Sequence, residues 1–253
     1  MTVGSQSVGG ITGTGFETVD TPSLNLTAGA DSFSLTGTNA GTGGGLNYIG
    51  LSSIDALGGS DTLNTNSGAA LTGVAGQVFT HGVTVSNLEN LASTNGLLNG
   101  TAGDDTLNLT GTNAGNGYGV NFTGISTLSA GVGNDTLHTN APTIITSTPG
   151  LVTTNGVNVS ALENLVSTDG NLQTTGLVDD ITLTGNEAGN VRGINFTGIT
   201  DLDAFSGTDT LNTNADSALT GTAGQVTSNG VTVSNLEVLG TSNGTLNGSA
   251  GAD

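Results

Sequence analysis

The sequence predicts an all-β protein, a parallel β-solenoid (β-helix) built from three 74-residue repeats. Three observations support this fold class: a gap-free internal repeat, short segments in which apolar and polar residues alternate, and turn-forming residues between those segments. Of the 253 residues, 44 are Gly. Because Gly costs about 1 kcal/mol relative to Ala inside a helix, short strands joined by tight turns are the better prediction.

The repeat keeps a constant length without insertions. Asp61-Thr62-Leu63 matches Asp135-Thr136-Leu137 and Asp209-Thr210-Leu211 at a constant 74-residue offset. We expect a partial, divergent repeat before the first full one, and the start of a further repeat at the last residue. The predicted organisation is 1–30 (partial repeat), 31–104, 105–178, 179–252 and 253 (start of a further repeat).

A constant repeat length favours a solenoid over a sandwich, because each coil rests on the next and insertions are confined to loops. We expect coils of about 18 to 25 residues, so that three or four coils form each repeat. The alternation places the aliphatic residues and the column Tyr48, Phe122 and Phe196 in a narrow core. Stacked Asn and Thr side chains are expected to form ladders on the turns or faces.

Composition excludes several classes of function. The chain has 20 acidic residues and one basic residue, Arg192, so its formal net charge is −19. Nucleic acids and anionic membrane surfaces need Lys and Arg to neutralise phosphate, so neither is an expected partner. Cys is absent, which excludes disulfides and thiolate sites. No apolar run approaches the roughly 18 residues of a membrane span, and no signal peptide is recognisable.

The most distinctive local pattern is Gly-x-Asp-Thr-Leu, with a weaker copy in the first repeat. Carboxylate and carbonyl oxygens in Gly-rich turns are the ligands that calcium prefers. The candidate calcium ligands are Asp31, Asp61, Asp105, Asp135 and Asp209. At Asp179 the Gly is replaced by Leu177, so this Asp is not included.

The fullest copy, Gly131-Val132-Gly133-Asn134-Asp135-Thr136-Leu137, resembles the calcium-binding nonapeptide G-G-x-G-x-D-x-U-x of RTX proteins. Residues 31 to 253 as a whole resemble the repeats of bacterial secreted adhesins and RTX-type surface-layer proteins. This resemblance implies a secreted or cell-surface bacterial protein and calcium as the cofactor. It departs from the family in one respect: the motifs are not in tandem but alternate at separations of 30 and 44 residues. The alternative role for each Asp is therefore to cap its own turn through a backbone N–H.

Catalysis is not expected, although a carbohydrate-active β-helix enzyme is one alternative. Arg192, His81 and His138 do not recur at the 74-residue offset, and both His residues alternate with Asn in the other repeats, as turn or surface residues do. A carboxylate pair for glycoside hydrolysis is conceivable at Asp201 and Asp203. Glu89, Glu163 and Glu237 recur once per repeat, which is typical of coil architecture.

We expect a structural, non-catalytic segment of a surface protein that acts as a stalk, fibre or lattice element. The other alternative is a calcium-dependent adhesive or ice-binding module. The Thr-x-Asn tripeptides, such as Thr62-Leu63-Asn64, could form the flat ladder of an ice-binding face. Because the ends of a solenoid expose unpaired strand edges, the expected partners are further coils, from copies of this chain or from a longer polypeptide.

Overall fold

The computed structural model describes residues 6–8, 11–13 and 18–249. They form two compact units: unit 1 takes the described residues up to 101 together with 113–128, and unit 2 takes 102–112 and 129–249. The described residues form strands and turns without any helix, and hence no helix that could cross a membrane. The expected start of a further repeat at Asp253 lies outside the described residues, as does most of the first half of segment 1–30.

The strands of the described residues are short, and their bounds follow in chain order. They are β1 (Gln6–Val8), β2 (Ile11–Gly13), β3 (Thr18–Asp20), β4 (Ser23–Asn25), β5 (Ser32–Gly37), β6 (Ala40–Gly43), β7 (Leu46–Ile49), β8 (Ser53–Asp55), β9 (Thr62–Thr65), β10 (Ala69–Leu71), β11 (Val78–Thr80), β12 (Val83–Ser86), β13 (Asn90–Ser93), β14 (Leu97–Thr101), β15 (Thr106–Gly111), β16 (Ala114–Gly117) and β17 (Val120–Thr123). They continue with β18 (Thr127–Gly131), β19 (Thr136–Thr139), β20 (Thr143–Ile145), β21 (Val152–Thr154), β22 (Val157–Ser160), β23 (Asn164–Ser167), β24 (Asn171–Gln173), β25 (Asp180–Gly185), β26 (Ala188–Val191), β27 (Ile194–Thr197), β28 (Asp201–Asp203), β29 (Thr210–Thr213), β30 (Ser217–Leu219), β31 (Val226–Ser228), β32 (Val231–Ser234), β33 (Val238–Thr241) and β34 (Leu246–Asn247).

Each unit stacks its coils in two sheets, which we call sheet I and sheet II. In unit 1, sheet I has the order β3-β7-β6-β5-β9-β13-β17-β16 and sheet II the order β14-β10-β11-β12-β8-β4. In unit 2, sheet I has the order β15-β19-β23-β27-β26-β25-β29-β33 and sheet II runs from β34 through β30-β31-β32-β28-β24-β20-β21 to β22. The predicted all-β class, the parallel β-solenoid and its repeat character are confirmed.

The coils are longer than the sequence analysis expected. Thr62 pairs in parallel with Ser32 on one side and with Asn90 on the other. Hydrogen bonds of the preceding residue, Asp61, reach the same two neighbouring coils across 30 and 28 residues of chain. The extra residues form antiparallel hairpins within a coil, such as β5-β6-β7. The expected coil length of about 18 to 25 residues was therefore wrong, because that length leaves no room for a hairpin.

Two-residue turns join several of the hairpin strands, among them β11-β12, β16-β17 and β26-β27. Residues His81, Tyr118 and Arg192 have φ values of 55°, 50° and 52°, and each is followed by a Gly with positive φ. Positive φ at both central residues defines the turn whose twist matches that of paired strands. His81 is thus a turn residue, as predicted, whereas His138 lies half-buried on strand β19.

The predicted aromatic column points into the core. Tyr48, Phe122 and Phe196 retain only 3%, 1% and 1% of their surface exposed. The alternation of strand residues explains this position, because every second side chain faces the same side of a strand. Tyr48 lies beside Phe33, with 5.5 Å between ring centroids.

Candidate functional site

The predicted calcium ligands all lie at one kind of place in the fold. Asp31, Asp61, Asp105, Asp135 and Asp209 are each the last residue before a strand of sheet I. Asp31 is partly exposed, whereas the other four are almost completely buried, with at most 1% of their surface exposed. The four buried residues are therefore not simple solvent-facing turn residues.

Hydrogen bonds between neighbouring coils join these carboxylates into ladders. In unit 1 the Oδ1 atom of Asp61 accepts a bond from the Asp31 N–H at 2.8 Å. The Asp61 N–H in turn donates to Oε2 of Glu89 at 2.9 Å. We call Asp31, Asp61 and Glu89 ladder 1, and Asp61 its middle Asp.

Unit 2 contains two more ladders with the same connections. Ladder 2 consists of Asp105, Asp135 and Glu163, with N–H to carboxylate distances of 2.8 and 2.9 Å. Ladder 3 consists of Asp179, Asp209 and Glu237, with distances of 2.8 Å in both steps. The structure thus joins four of the predicted Asp residues in two pairs, joins the fifth, Asp209, to Asp179, and adds a Glu to each pair.

In ladders 1 and 3 the first Asp caps its own turn. In ladder 1 the Oδ2 atom of Asp31 accepts bonds from N and Oγ1 of Thr27, both at 2.8 Å. In ladder 3 the Oδ2 atom of Asp179 accepts from N and Oγ1 of Thr175 at 2.9 and 2.8 Å. These two residues fit the turn-capping alternative. The N–H group that each Asp caps belongs to the residue four positions before it, and not to the residue two positions after it as the sequence analysis expected.

The middle Asp of each ladder has one oxygen without a partner. The Oδ2 atoms of Asp61, Asp135 and Asp209 are buried and accept no hydrogen bond from the described residues. A buried polar atom without a partner costs about 1–3 kcal/mol, and more when it is charged. The same cost recurs at three positions separated by the repeat length, so it is a property of the repeat.

In ladders 2 and 3 the electrostatic environment of the middle Asp disfavours its charge. Burial raises the pKa of Asp135, and the neighbouring charges of Asp105 and Glu163 raise it further. The pKa of Asp209 is raised by burial and by the charges of Asp179 and Glu237. A positive charge placed at this point would therefore remove both the repulsion and the missing contact.

Ladder 3 contains the single basic residue of the chain. The Nη1 atom of Arg192 lies 2.7 Å from Oδ1 of Asp179, and its Nη2 donates to the Ser147 carbonyl at 3.0 Å. Burial alone would raise the pKa of Asp179, but the bonds from Arg192 and Thr175 outweigh it and lower the pKa. Ladder 3 with Arg192 carries a formal charge of −2, from three acidic residues and one basic one, whereas ladders 1 and 2 carry −3 from their three acidic residues.

The Gly of the Gly-x-Asp motif is required by the approach of neighbouring coils. Gly59, Gly133 and Gly207 have φ between 139° and 151°. A Cβ atom on Gly207 would lie 2.4 Å from the carbonyl oxygen of Leu177, and one on Gly59 would lie 2.6 Å from that of Gly29. This contact explains why the motif needs Gly before the middle Asp, and why Leu177 is tolerated before Asp179.

The ladder residues meet only part of the ligand requirement of a metal cation. The unpartnered oxygens are carboxylate oxygens, which suit a hard cation such as calcium. Within the described residues, however, no three acidic or His side chains converge as a set that could hold a metal ion. A metal at a middle Asp would thus depend on backbone carbonyls for most of its ligands, and calcium remains a prediction.

Sequence reasoning missed four members of the ladders, Asp179 and the three Glu residues. Asp179 was left out because its motif Gly is absent, although the 74-residue offset relates it to Asp105 just as it relates Asp105 to Asp31. The Glu residues recur 28 residues after each middle Asp. The 28-residue spacing between the middle Asp and the Glu was the available signal. It becomes interpretable only from the parallel pairing of Thr62 with Asn90, which places Asp61 and Glu89 next to each other on neighbouring coils.

Asp201 and Asp203 both lie on β28, two residues apart. Oδ1 of Asp203 accepts bonds from the Phe205 N–H and from Nδ2 of Asn235, and its Oδ2 accepts one from Gln173. Burial would raise the pKa of Asp203, but these bonds lower it. A general acid for glycoside hydrolysis needs the opposite shift, so Asp203 does not fit that role.

The stacked Asn side chains predicted by the sequence are present on sheet I. In unit 2, Nδ2 of Asn195 donates to Oδ1 of Asn164 at 3.2 Å, and Nδ2 of Asn190 donates to Oδ1 of Asn195 at 2.9 Å. In unit 1, Nδ2 of Asn121 donates to Oδ1 of Asn90 at 3.4 Å. These amides bond along the stack, which stabilises the coils and uses hydrogen-bonding capacity that an external ligand would need.

Comparison of the chain with protein-family models, with curated proteins and with solved structures finds no match.

Proposed function

We propose that the chain is a structural, non-catalytic β-solenoid segment of a secreted bacterial surface protein, in which it extends a stalk, fibre or lattice. The repeated coil supports this proposal, because the same hydrogen bonds recur in ladders 1, 2 and 3. The acidic surface and the resemblance to adhesin and surface-layer repeats favour an extracellular location.

The observation that carries the proposal is an apolar face of unit 2. Leu246 on β34 is 53% exposed, whereas its equivalents Leu172 and Leu98 are 2% and 0% exposed. Leu219, Val226, Leu236 and Leu239 line an open depression beside Leu246. Burying a Leu side chain contributes about 1.5–3 kcal/mol, so this face is suited to stack on another coil.

Charge sets the conditions for stacking. The net charge of −19 opposes contact between copies at low ionic strength. The Debye length falls from about 30 Å at 0.01 M to about 8 Å at 0.15 M salt, so salt should promote stacking. The partner is another solenoid coil, from a second copy of this chain or from a longer polypeptide.

Analytical ultracentrifugation of the chain at low and high salt tests the proposal. We expect larger assemblies at high salt, and we expect Leu246→Lys to remove them. Val132→Lys is the matched control, because Val132 is 73% exposed outside this face. A monomer under all conditions, or equal assembly by both variants, would contradict stacking through this face.

A further inference from the structure

Several Asn residues of the chain are directly followed by Gly, namely Asn95, Asn99, Asn116, Asn155, Asn229, Asn243 and Asn247. In such a pair the backbone nitrogen of Gly can attack the side-chain amide of Asn, because Gly has no Cβ atom to block the approach. The reaction needs a free Asn side chain and a local backbone that is not held by regular structure. The fold meets these two conditions at some of the Asn-Gly pairs and not at others.

Most of the Asn-Gly pairs are held by regular structure. Three of the Asn residues lie on strands whose backbones are paired with a neighbouring strand: Asn99, Asn116 and Asn247. Asn155 and Asn229 begin two-residue hairpin turns, with φ of 51° and 50°. The Nδ2 atom of Asn155 donates to Oγ1 of Thr139 at 3.2 Å, and that of Asn229 donates to Oγ1 of Thr213 at 3.3 Å. Reaction at these pairs therefore requires the local structure to open first.

Asn95 and Asn243 lie in a different environment, the exposed turn that connects sheet I to sheet II. Neither side chain makes a hydrogen bond with the residues that the structure describes. The N–H of Gly96 donates to Oγ of Ser93 at 3.1 Å, and that of Gly244 donates to the hydroxyl three residues before it at 3.0 Å. The turn thus leaves the Asn amide free and orients the N–H group that must lose its proton.

The remaining copy of this turn shows that an acidic product fits the fold. The 74-residue offset places Asp169-Gly170 at the position of Asn95-Gly96. The N–H groups of Asp169 and Gly170 both donate to Oγ of Ser167, at 3.2 and 3.1 Å. An Asp in this turn is therefore compatible with the hydrogen bond from Gly that the Asn copies make.

We propose that Asn95-Gly96 and Asn243-Gly244 are sites of spontaneous deamidation. The Gly nitrogen forms a bond to Cγ of Asn, the bond between Cγ and Nδ2 breaks, and ammonia leaves with the proton of the Gly N–H. The product is a cyclic succinimide, which water opens to Asp or to isoaspartate. Each event replaces a neutral amide by a carboxylate, so two events change the formal net charge of −19 by two further negative charges.

The isoaspartate product has a structural consequence at position 95. It routes the main chain through the former Asn side chain and so adds one atom to the backbone before Gly96. The Gly96 carbonyl accepts the N–H groups of Ser126 and Thr127 from the neighbouring coil, at 2.8 and 2.9 Å. The longer backbone displaces this carbonyl, so we expect isoaspartate to weaken the contact between the two coils.

Peptide mapping by mass spectrometry, after incubation of the folded chain at mildly alkaline pH, tests the proposal. We expect Asn95 to be converted at least about tenfold faster than Asn155, because reaction at Asn155 must wait for its turn to open. Asn243 and Asn229 should show the same contrast. In urea that unfolds the chain, all of the Asn-Gly pairs should react at similar rates, because the fold then no longer distinguishes them.

Two variants provide matched controls. Asp169→Asn creates an Asn-Gly pair in the third copy of the turn and should introduce a third reactive site, while circular dichroism reports an intact fold. Asn95→Gln should abolish conversion at position 95 and leave that at Asn243 unchanged. Equal rates at Asn95 and Asn155 in the folded chain, no conversion at Asn95, or an inert pair in Asp169→Asn would overturn the proposal.

Discussion

Ladder 1 in unit 1 and ladder 3 in unit 2 have the same backbone and different chemistry. The hairpin turn beside each ladder begins at Gly44 or at Arg192, with φ of 57° and 52°. The turn conformation is set by the twist of the paired strands, so it is the same whichever residue occupies it. The side chain at this position can therefore change the charge of one ladder without changing the coil.

A second difference separates the repeats. Leu57 and Phe205 are exposed residues with φ of 68° at equivalent positions, where the remaining repeat has Gly131. Asp55 and Asp203 accept the N–H of these residues at 3.0 and 2.8 Å. At this one position of the repeat, an Asp two residues earlier accompanies the left-handed conformation in the two copies that lack Gly. A repeat can thus replace this glycine if it adds a capping side chain.

The largest effect is expected where the ladders are alike. Gly59→Ala and Gly207→Ala place a Cβ atom 2.6 and 2.4 Å from a facing carbonyl oxygen, at φ values that L residues rarely adopt. Each substitution should reduce the free energy of unfolding by more than about 3 kcal/mol, as measured by urea denaturation. Gly58→Ala is the control, because a Cβ there has no neighbour within 4 Å. Equal costs for Gly58 and Gly59 would mean that the coils do not approach as described.

An intermediate effect is expected where the ladders differ. Arg192→Gln should cost about 1–3 kcal/mol at pH 7 with a chelator present, because it leaves the buried Asp179 without its counter-ion. Arg192→Gly should cost about 1 kcal/mol less, because Gly adopts the turn conformation without strain.

The pH dependence of Arg192→Gln has a defined sign. The folded-state pKa of Asp179 is lowered, so its contribution to stability is present above its unfolded pKa of about 3.9 and is lost as pH falls through the folded pKa. The difference between wild type and Arg192→Gln should therefore shrink when chemical denaturation is repeated at decreasing pH below about 4. A difference that grows in acid would contradict the ion pair.

The smallest effect is expected at the capped turns. Asp203→Asn and Asp55→Asn should each cost about 1 kcal/mol, because the charged acceptor for the Phe205 or Leu57 N–H becomes a neutral amide. The pKa of Asp203 is lowered by its hydrogen bonds, so this loss should appear above pH about 4 and disappear below the folded pKa.

A double variant provides the control for this prediction. Combining Asp203→Asn with Phe205→Gly should recover part of the lost free energy of unfolding, because Gly adopts the left-handed conformation without support, whereas the bonds from Gln173 and Asn235 to residue 203 stay weakened. Thermal denaturation of the two single variants and the double variant decides the point. A fully additive loss would show that Asp203 does not act through Phe205.

The sequence by itself determined the all-β class, the stacked repeat and the inward aromatic column. Constant spacing carries this information, because residues one repeat apart occupy the same environment in successive coils, as the burial of Phe122 and Phe196 shows. Alternation then assigns each side chain to the core or the surface, since this depends only on neighbours along one strand. The Gly-x-Asp motif likewise identified five of the nine ladder residues, named above as the calcium candidates.

Only the tertiary structure decided which residues meet between coils. The coil length depends on antiparallel hairpins, and an error of a few residues in that length changes every partner across the stack. The pairing of Asp61 with Glu89, and the reach of Arg192 back to Asp179, follow from the observed register and not from sequence proximity. Burial decided the rest: the buried oxygen that Asp135 leaves without a partner is a property of the packed coils, because an isolated turn would expose it to water.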